Sequence, residues 1–195
     1  RSFVVPILAA GDAKRYESYT SSKGVNMKNW KLVLGLTFGL LSTSAYSADQ
    51  VTNYAKSSGY KACLSTVSDL ESFFADKANY GSWAILAKDK SDDQPLNATL
   101  ELTYTDGSQL IDFTVVPSKD GTCSYTYSRT WYSDKSCMAT SKDEFMSKAT
   151  YKAEINKNIT AFEDASGAKI LLTPAGAGCM VQKKEIGFRH KNQNS

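Results

Sequence analysis

The feature that most limits how this chain can fold is that its second half repeats the order of its first. Cys63-Leu64-Ser65-Thr66-Val67-Ser68-Asp69 recurs as Cys137-Met138-Ala139-Thr140-Ser141-Lys142-Asp143, a shared cysteine, apolar, small, threonine, x, x, aspartate signature. Gly107-Ser108-Gln109-Leu110-Ile111 is echoed by Gly167-Ala168-Lys169-Ile170-Leu171. Each copy then passes a proline (Pro117, Pro174) and a glycine (Gly121, Gly178) to a second cysteine, Cys123 or Cys179. A fixed-order repeat means one supersecondary plan used twice, so it bounds the architecture before any single residue is interpreted.

The chain ahead of the repeat reads differently. Lys28 and Lys31 precede the apolar run Leu32–Leu41, and Ala45-Tyr46-Ser47 supplies small residues at a cleavage position before Ala48. That pattern predicts a secretory signal peptide over residues 27–47, too short for a membrane span. Lys23-Gly24-Val25-Asn26 can be encoded by a purine-rich stretch containing AAGGAG just ahead of the Met27 codon. Residues 1–26 therefore read as translated upstream sequence of a bacterial gene. Six of the 23 basic and two of the 20 acidic residues fall before residue 48, leaving 17 against 18. A formal charge of −1 on the mature chain gives no support to nucleic-acid binding.

Four cysteines in an exported chain imply two disulfides. Of the three possible connectivities the repeat selects Cys63 with Cys123 and Cys137 with Cys179, one bridge per copy. A bridge from Cys123 to Cys137 would need a hairpin centred near Thr130, where Arg129-Thr130 carries no turn signal.

Within each copy the periodicity switches from helix to strand. Thr66 and Thr140, each followed three residues on by an aspartate, predict N-caps of a helix over 67–77 and a shorter one over 141–148. Alternation then predicts strands near 82–88, 97–105, 108–116 and 122–132, and again near 150–155, 158–163, 168–173 and 179–186. A two-residue turn at Asp106-Gly107 would set Leu102 against Ile111, Leu100 against Phe113 and Glu101 against Asp112. Because Cys123 must reach the start of the first helix, Tyr125, Tyr127 and Trp131 on its face are expected beneath that helix.

The expected fold is α+β: a tandem repeat of two units, residues 48–133 and 134–187, each one helix on a four-stranded antiparallel sheet with its own disulfide. Residues 188–195 read as a disordered polar tail. The plan resembles the layout of the secreted β-lactamase inhibitory proteins, which repeat a helical segment and four strands with a disulfide per unit. That resemblance implies a protein-binding role.

The catalytic inventory is thin. His190 is the only histidine and lies in a polar C-terminal run, and with the cysteines committed to disulfides neither a His-based dyad nor a Cys/His zinc site is expected. Thr173-Pro174-Ala175-Gly176-Ala177-Gly178 lacks the following helix and GK[ST] of a phosphate loop and reads as a hairpin turn. Asp89, Ser91, Asp92 and Asp93 do not continue into a calcium loop, because Gln94 and Leu100 stand where glycine and glutamate are required. The one chemical candidate is Glu101 facing Asp112, a carboxylate pair that would raise one pKa and suit acid–base or cation chemistry. The leading expectation is a non-catalytic periplasmic or secreted module that binds another macromolecule, a protein foremost, with no cofactor, no metal, no nucleic acid and no membrane insertion after cleavage. The alternatives are a small secreted hydrolase or cation-binding protein using Glu101 and Asp112, and a structural component of an envelope assembly.

Overall fold

Side chains that alternate apolar and polar cannot bury both faces of a strand, so each strand must share one face with a core and leave the other open. The computed structural model describes residues 49–76 and 78–190. The predicted signal segment 27–47 and residues 1–26 lie outside the described residues. After two helices, α1 (Gln50–Ser57) and α2 (Leu64–Ala75), come strands β1 (Asn79–Leu86), β2 (Leu96–Tyr104), β3 (Gly107–Pro117) and β4 (Thr122–Ser133). A one-turn helix α3 (Cys137–Thr140) and a 3-10 turn (Glu144–Met146) lead into β5 (Thr150–Ile155), β6 (Ile159–Glu163), β7 (Lys169–Ala175) and β8 (Gly178–His190).

The strands do not form two sheets. They make one antiparallel sheet of eight, in the order β1-β2-β3-β4-β8-β7-β6-β5. The two meanders meet where β4 pairs with β8 over twelve positions, from Thr122 opposite His190 to Ser133 opposite Cys179. Left apart, each meander would expose one strand edge at this point, and pairing the two longest strands removes both edges at once. This seam also orders part of the expected tail: Phe188 lies opposite Ser124 and Arg189 opposite Cys123, so β8 runs past 187, while 191–195 lie outside the described residues.

Both bridges are present, Cys63–Cys123 and Cys137–Cys179, and each ties the start of a helix to one of the two seam strands. The capping boxes are not formed. Cys63 takes the N-cap of α2 without a side-chain bond, and Thr66 is buried within the helix. In the second copy Ser136 Oγ accepts from Ala139 N at 3.3 Å, and Thr140 ends α3 where it was expected to begin a helix. The aspartates of the two boxes go to cations instead: Asp69 to Arg189 and Asp143 to Lys135. A full charge is a stronger partner for carboxylate than a backbone amide.

Helix α1 was not foreseen, and it is capped from a distance. Glu71 of α2, 1% exposed, accepts Val51 N at 2.7 Å, Thr52 N at 2.8 Å, Thr52 Oγ1 at 2.6 Å and Tyr80 Oη at 2.9 Å. The carboxylate thus neutralises the exposed amides of the α1 first turn and its dipole, a role that Asp49 at the N-cap does not fill. The Tyr80 phenol is correspondingly raised above its usual pKa, by burial first and by its bond to Glu71.

Two apolar clusters fill the helix side of the sheet. The larger joins α1 and α2 to Leu96, Leu100, Ile111, Phe113 and Val115, with Tyr125 and Tyr127 partly buried against it as expected. The smaller comprises Met146, Ile170, Leu172, Cys179 and Val181, with Phe162 packed on it and also Trp131 of β4, which therefore lies away from the first helix beneath which it is expected. Trp131 also meets Phe145 edge to face at 5.4 Å, so a residue of the first copy covers the apolar stripe of the second.

Candidate binding face

Among the described residues the opposite side of the sheet carries no helix, and its geometry follows from the ladder. One row of opposed residues crosses all eight strands: Trp83, Thr99, Asp112, Ser128, Lys184, Lys169, Glu163 and Thr150. These positions alternate with the buried ones along each strand, so their side chains all leave the core.

Glu101 and Asp112 do not face each other. The β2–β3 turn is Thr105-Asp106, with Gly107 opposite Tyr104, and the hairpin is displaced by two residues from the expected register. Glu101 therefore lies opposite Leu110, and Asp112 opposite Thr99. A shift of two keeps every side chain on its own face, so the apolar pattern alone does not distinguish the two registers. Electrostatics does: the observed one avoids opposed carboxylates and gives Asp112 two donors, Thr99 Oγ1 at 2.9 Å and Asn97 Nδ2 at 3.2 Å. Asn97 Nδ2 also reaches Thr114 Oγ1 at 3.0 Å, which knits four side chains on two strands, β2 and β3, into one polar cluster. The directly opposed pair is therefore not formed, and Glu101 and Asp112 are diagonal neighbours on the same face. Among the described residues, no group of three or more His, Cys, Asp or Glu side chains is placed to hold a metal ion.

Large apolar side chains flank this polar centre. Trp83 is 75% exposed and Ile85 60% on β1, and Ile186 is 85% exposed and Phe188 50% on β8. Sequence reasoning did not single out any of them. Alternation along Asn79–Leu86 already separates Trp83 and Ile85 from buried Tyr80, but Ile186 and Phe188 fell at or beyond the boundary drawn for the tail.

The helix side of the seam is polar in a different way. Lys183 Nζ bridges Asp164 at 2.8 Å and Glu185 at 3.2 Å, between the two apolar clusters. Burial pushes the Lys183 ammonium down, but its bond to Asp164 and the charge of Glu185 outweigh that and hold it above its ordinary pKa. Burial likewise works to raise Asp164, and the bonds from Lys183 and Ser166 overcome it, so its carboxyl sits below the usual range. Tyr127 beside them is pushed up by burial and by Glu185. The polar loop before β2 is anchored: Asp92 accepts from the backbone of Lys61 and Ala62, and its charge adds to burial in pushing Tyr60 up to about 12.

The candidates set aside in the sequence also find their places. Gly176 and Ala177 form the turn of the β7–β8 hairpin, and His190 pairs with Thr122 at the end of β8. No family model, curated protein or solved structure matches this chain.

Proposed function

We propose that the protein is an exported, non-catalytic module that binds another protein through the helix-free face of its sheet. One observation carries the reading: the large apolar side chains of Trp83, Ile85, Ile186 and Phe188, with the ring of Tyr132, stand at least half exposed on that face. Exposed apolar groups around a polar centre are the composition of an interaction surface, and aromatic anchors contribute most to such contacts. The bonded cluster of Asn97, Thr99, Asp112 and Thr114 supports it as well, because side chains already held in place lose little entropy on binding. Two disulfides fit an oxidising compartment, periplasmic or extracellular. The shared order of helix start, disulfide and four strands in each half supports an origin by tandem duplication, with the two meanders then fused at β4 and β8.

Site-specific photo-crosslinking in the host tests the binding reading. A crosslinker at Thr99 or Ser128 is expected to yield protein adducts, and one at Lys142 on the helix side is not. Equal labelling from both sides, or none from the face, would remove the reading.

A further inference from the structure

The charges on the open face are divided between its halves. On β1 to β4 they are Glu101 and Asp112, a formal −2. On β5 to β8 they are Lys169, Lys184 and Lys152 against Glu163, a formal +2; Lys152 and Lys169 both reach Glu163, and Lys184 stands exposed in the same row. We infer that the partner seated on this face is a second copy of the chain, stacked face to face about a twofold axis that runs parallel to the strands along the β4–β8 seam. This rests on the protein-binding reading of the face and names its occupant.

The charge division selects the axis. Rotation about the seam lays β1 to β4 of one copy over β5 to β8 of the other, in the order β4 on β8, β3 on β7, β2 on β6 and β1 on β5. Asp112 then comes over Lys169 of the second copy, and each −2 half meets a +2 half, twice, because a twofold contact is self-complementary. The other in-plane twofold, perpendicular to the strands, sets acids on acids and lysines on lysines. Opposite potentials favour the first arrangement, and like-charge contact costs the second several kcal/mol.

Size permits the contact. With strands about 4.8 Å apart, the eight-residue row spans roughly 34 Å. Up to three such rows, about 7 Å apart along the strands, make a face of the order of the roughly 800 Å² per partner of a standard interface. Two sheets stacked on their inner faces are a common way to bury such rows. Growth through the sheet edges is disfavoured instead. At β1, Gln50 Nε2 donates to the Tyr80 carbonyl at 3.1 Å and its Oε1 accepts from Ser82 Oγ at 3.0 Å, occupying that edge. At β5 the register breaks between Tyr151 and Ala153, where Lys152 lies. A bulge and a lysine both blunt an edge. The assembly therefore closes at two copies.

Sedimentation velocity across a concentration series, on the protein purified from its host, tests this. The expected result is a concentration-dependent dimer that weakens as salt rises, since exposed charges are screened within about 10 Å at 0.1 M. Glu101→Lys and Lys184→Glu, both at exposed positions, are expected to weaken dimerisation by about tenfold or more at low salt, while Lys142→Glu on the helix side leaves it unchanged. Circular dichroism of each variant establishes that the fold is retained. A monomer at every concentration overturns the inference, and so does a dimer indifferent to both face variants. In either case, crosslinks from Thr99 to a different protein would leave the binding reading standing, whereas no crosslinks at all would remove both.

Discussion

The two halves of the sheet are each a four-stranded antiparallel meander, and they have very different means of support. Among the described residues, the β1–β4 half gathers seventeen buried apolar residues under two helices, and the β5–β8 half gathers five. Both have one disulfide. The first half is thus held by a core that its bridge reinforces. The second leans on its bridge, on Trp131 and on the seam with β4. Every residue of β5 is exposed, whereas β2 buries Leu96, Ala98, Leu100 and Leu102. Similar patterning in sequence does not make for similar burial, because burial follows from what covers a strand and not from its alternation alone.

The largest expected effect comes from the bridges. Their sequence separations are 60 and 42, so in the chain-entropy account replacing either pair by serine costs a similar amount, about 4 kcal/mol. The consequence is expected to differ. Loss of Cys137–Cys179 should abolish hydrogen-exchange protection in β5 to β7 while β2 and β3 remain protected. Loss of Cys63–Cys123 should lower global stability without opening the first half alone. If both losses melted the two halves together, the halves would be one cooperative unit and the contrast would fail.

Next in size is Glu71→Ala. It removes four accepted hydrogen bonds and leaves the amides of Val51 and Thr52 without their partner, which should cost about 3 kcal/mol in chemical denaturation. The loss should be confined to the first half: α1 amides exchange freely, while β7 and β8 keep their protection. Loss of protection spreading through the second half would show that α1 supports the seam as well.

The smallest effect sharpens the picture of the seam itself. Lys183 has a raised pKa in the fold, so its contribution is complete below its unfolded value and is lost as pH climbs through the folded one. Asp164 has a lowered pKa, so its contribution is complete above its unfolded value and is lost as pH falls through the folded one. Because the pair is partly solvated, each loss should be about 1 kcal/mol or less. Stability measured against pH should thus sag at both the acid and the alkaline ends, and Asp164→Asn should flatten both. An unchanged profile in that variant would mean the pair does not brace the seam.

Much of this was legible in local sequence. Period-two alternation located all eight strands to within a few residues, since a strand half buried in a sheet has no other stable pattern. The cysteine pairing expected from the recurring sequence pattern is the one observed. Where reading stopped, the cause was competition between partners distant in sequence. Asp69 was close enough to Thr66 to suggest a cap, yet Arg189, far along the chain, holds it. Helix α1 has no capping side chain of its own and depends on Glu71.

By itself the sequence determined where the strands lie to within a few residues, which face of the core strands is apolar, and which cysteines meet. Each is set by neighbours within a few residues or by the internal repeat. Only the tertiary structure decided that the two meanders share one sheet, that β8 continues through 188–190, and that Glu101 and Asp112 stand in separate pairs. Those outcomes depend on pairing at a distance. A two-residue shift of register preserves every face, and two free sheet edges satisfy their backbone groups most completely by pairing with each other. The open face with its divided charge comes into being at that seam.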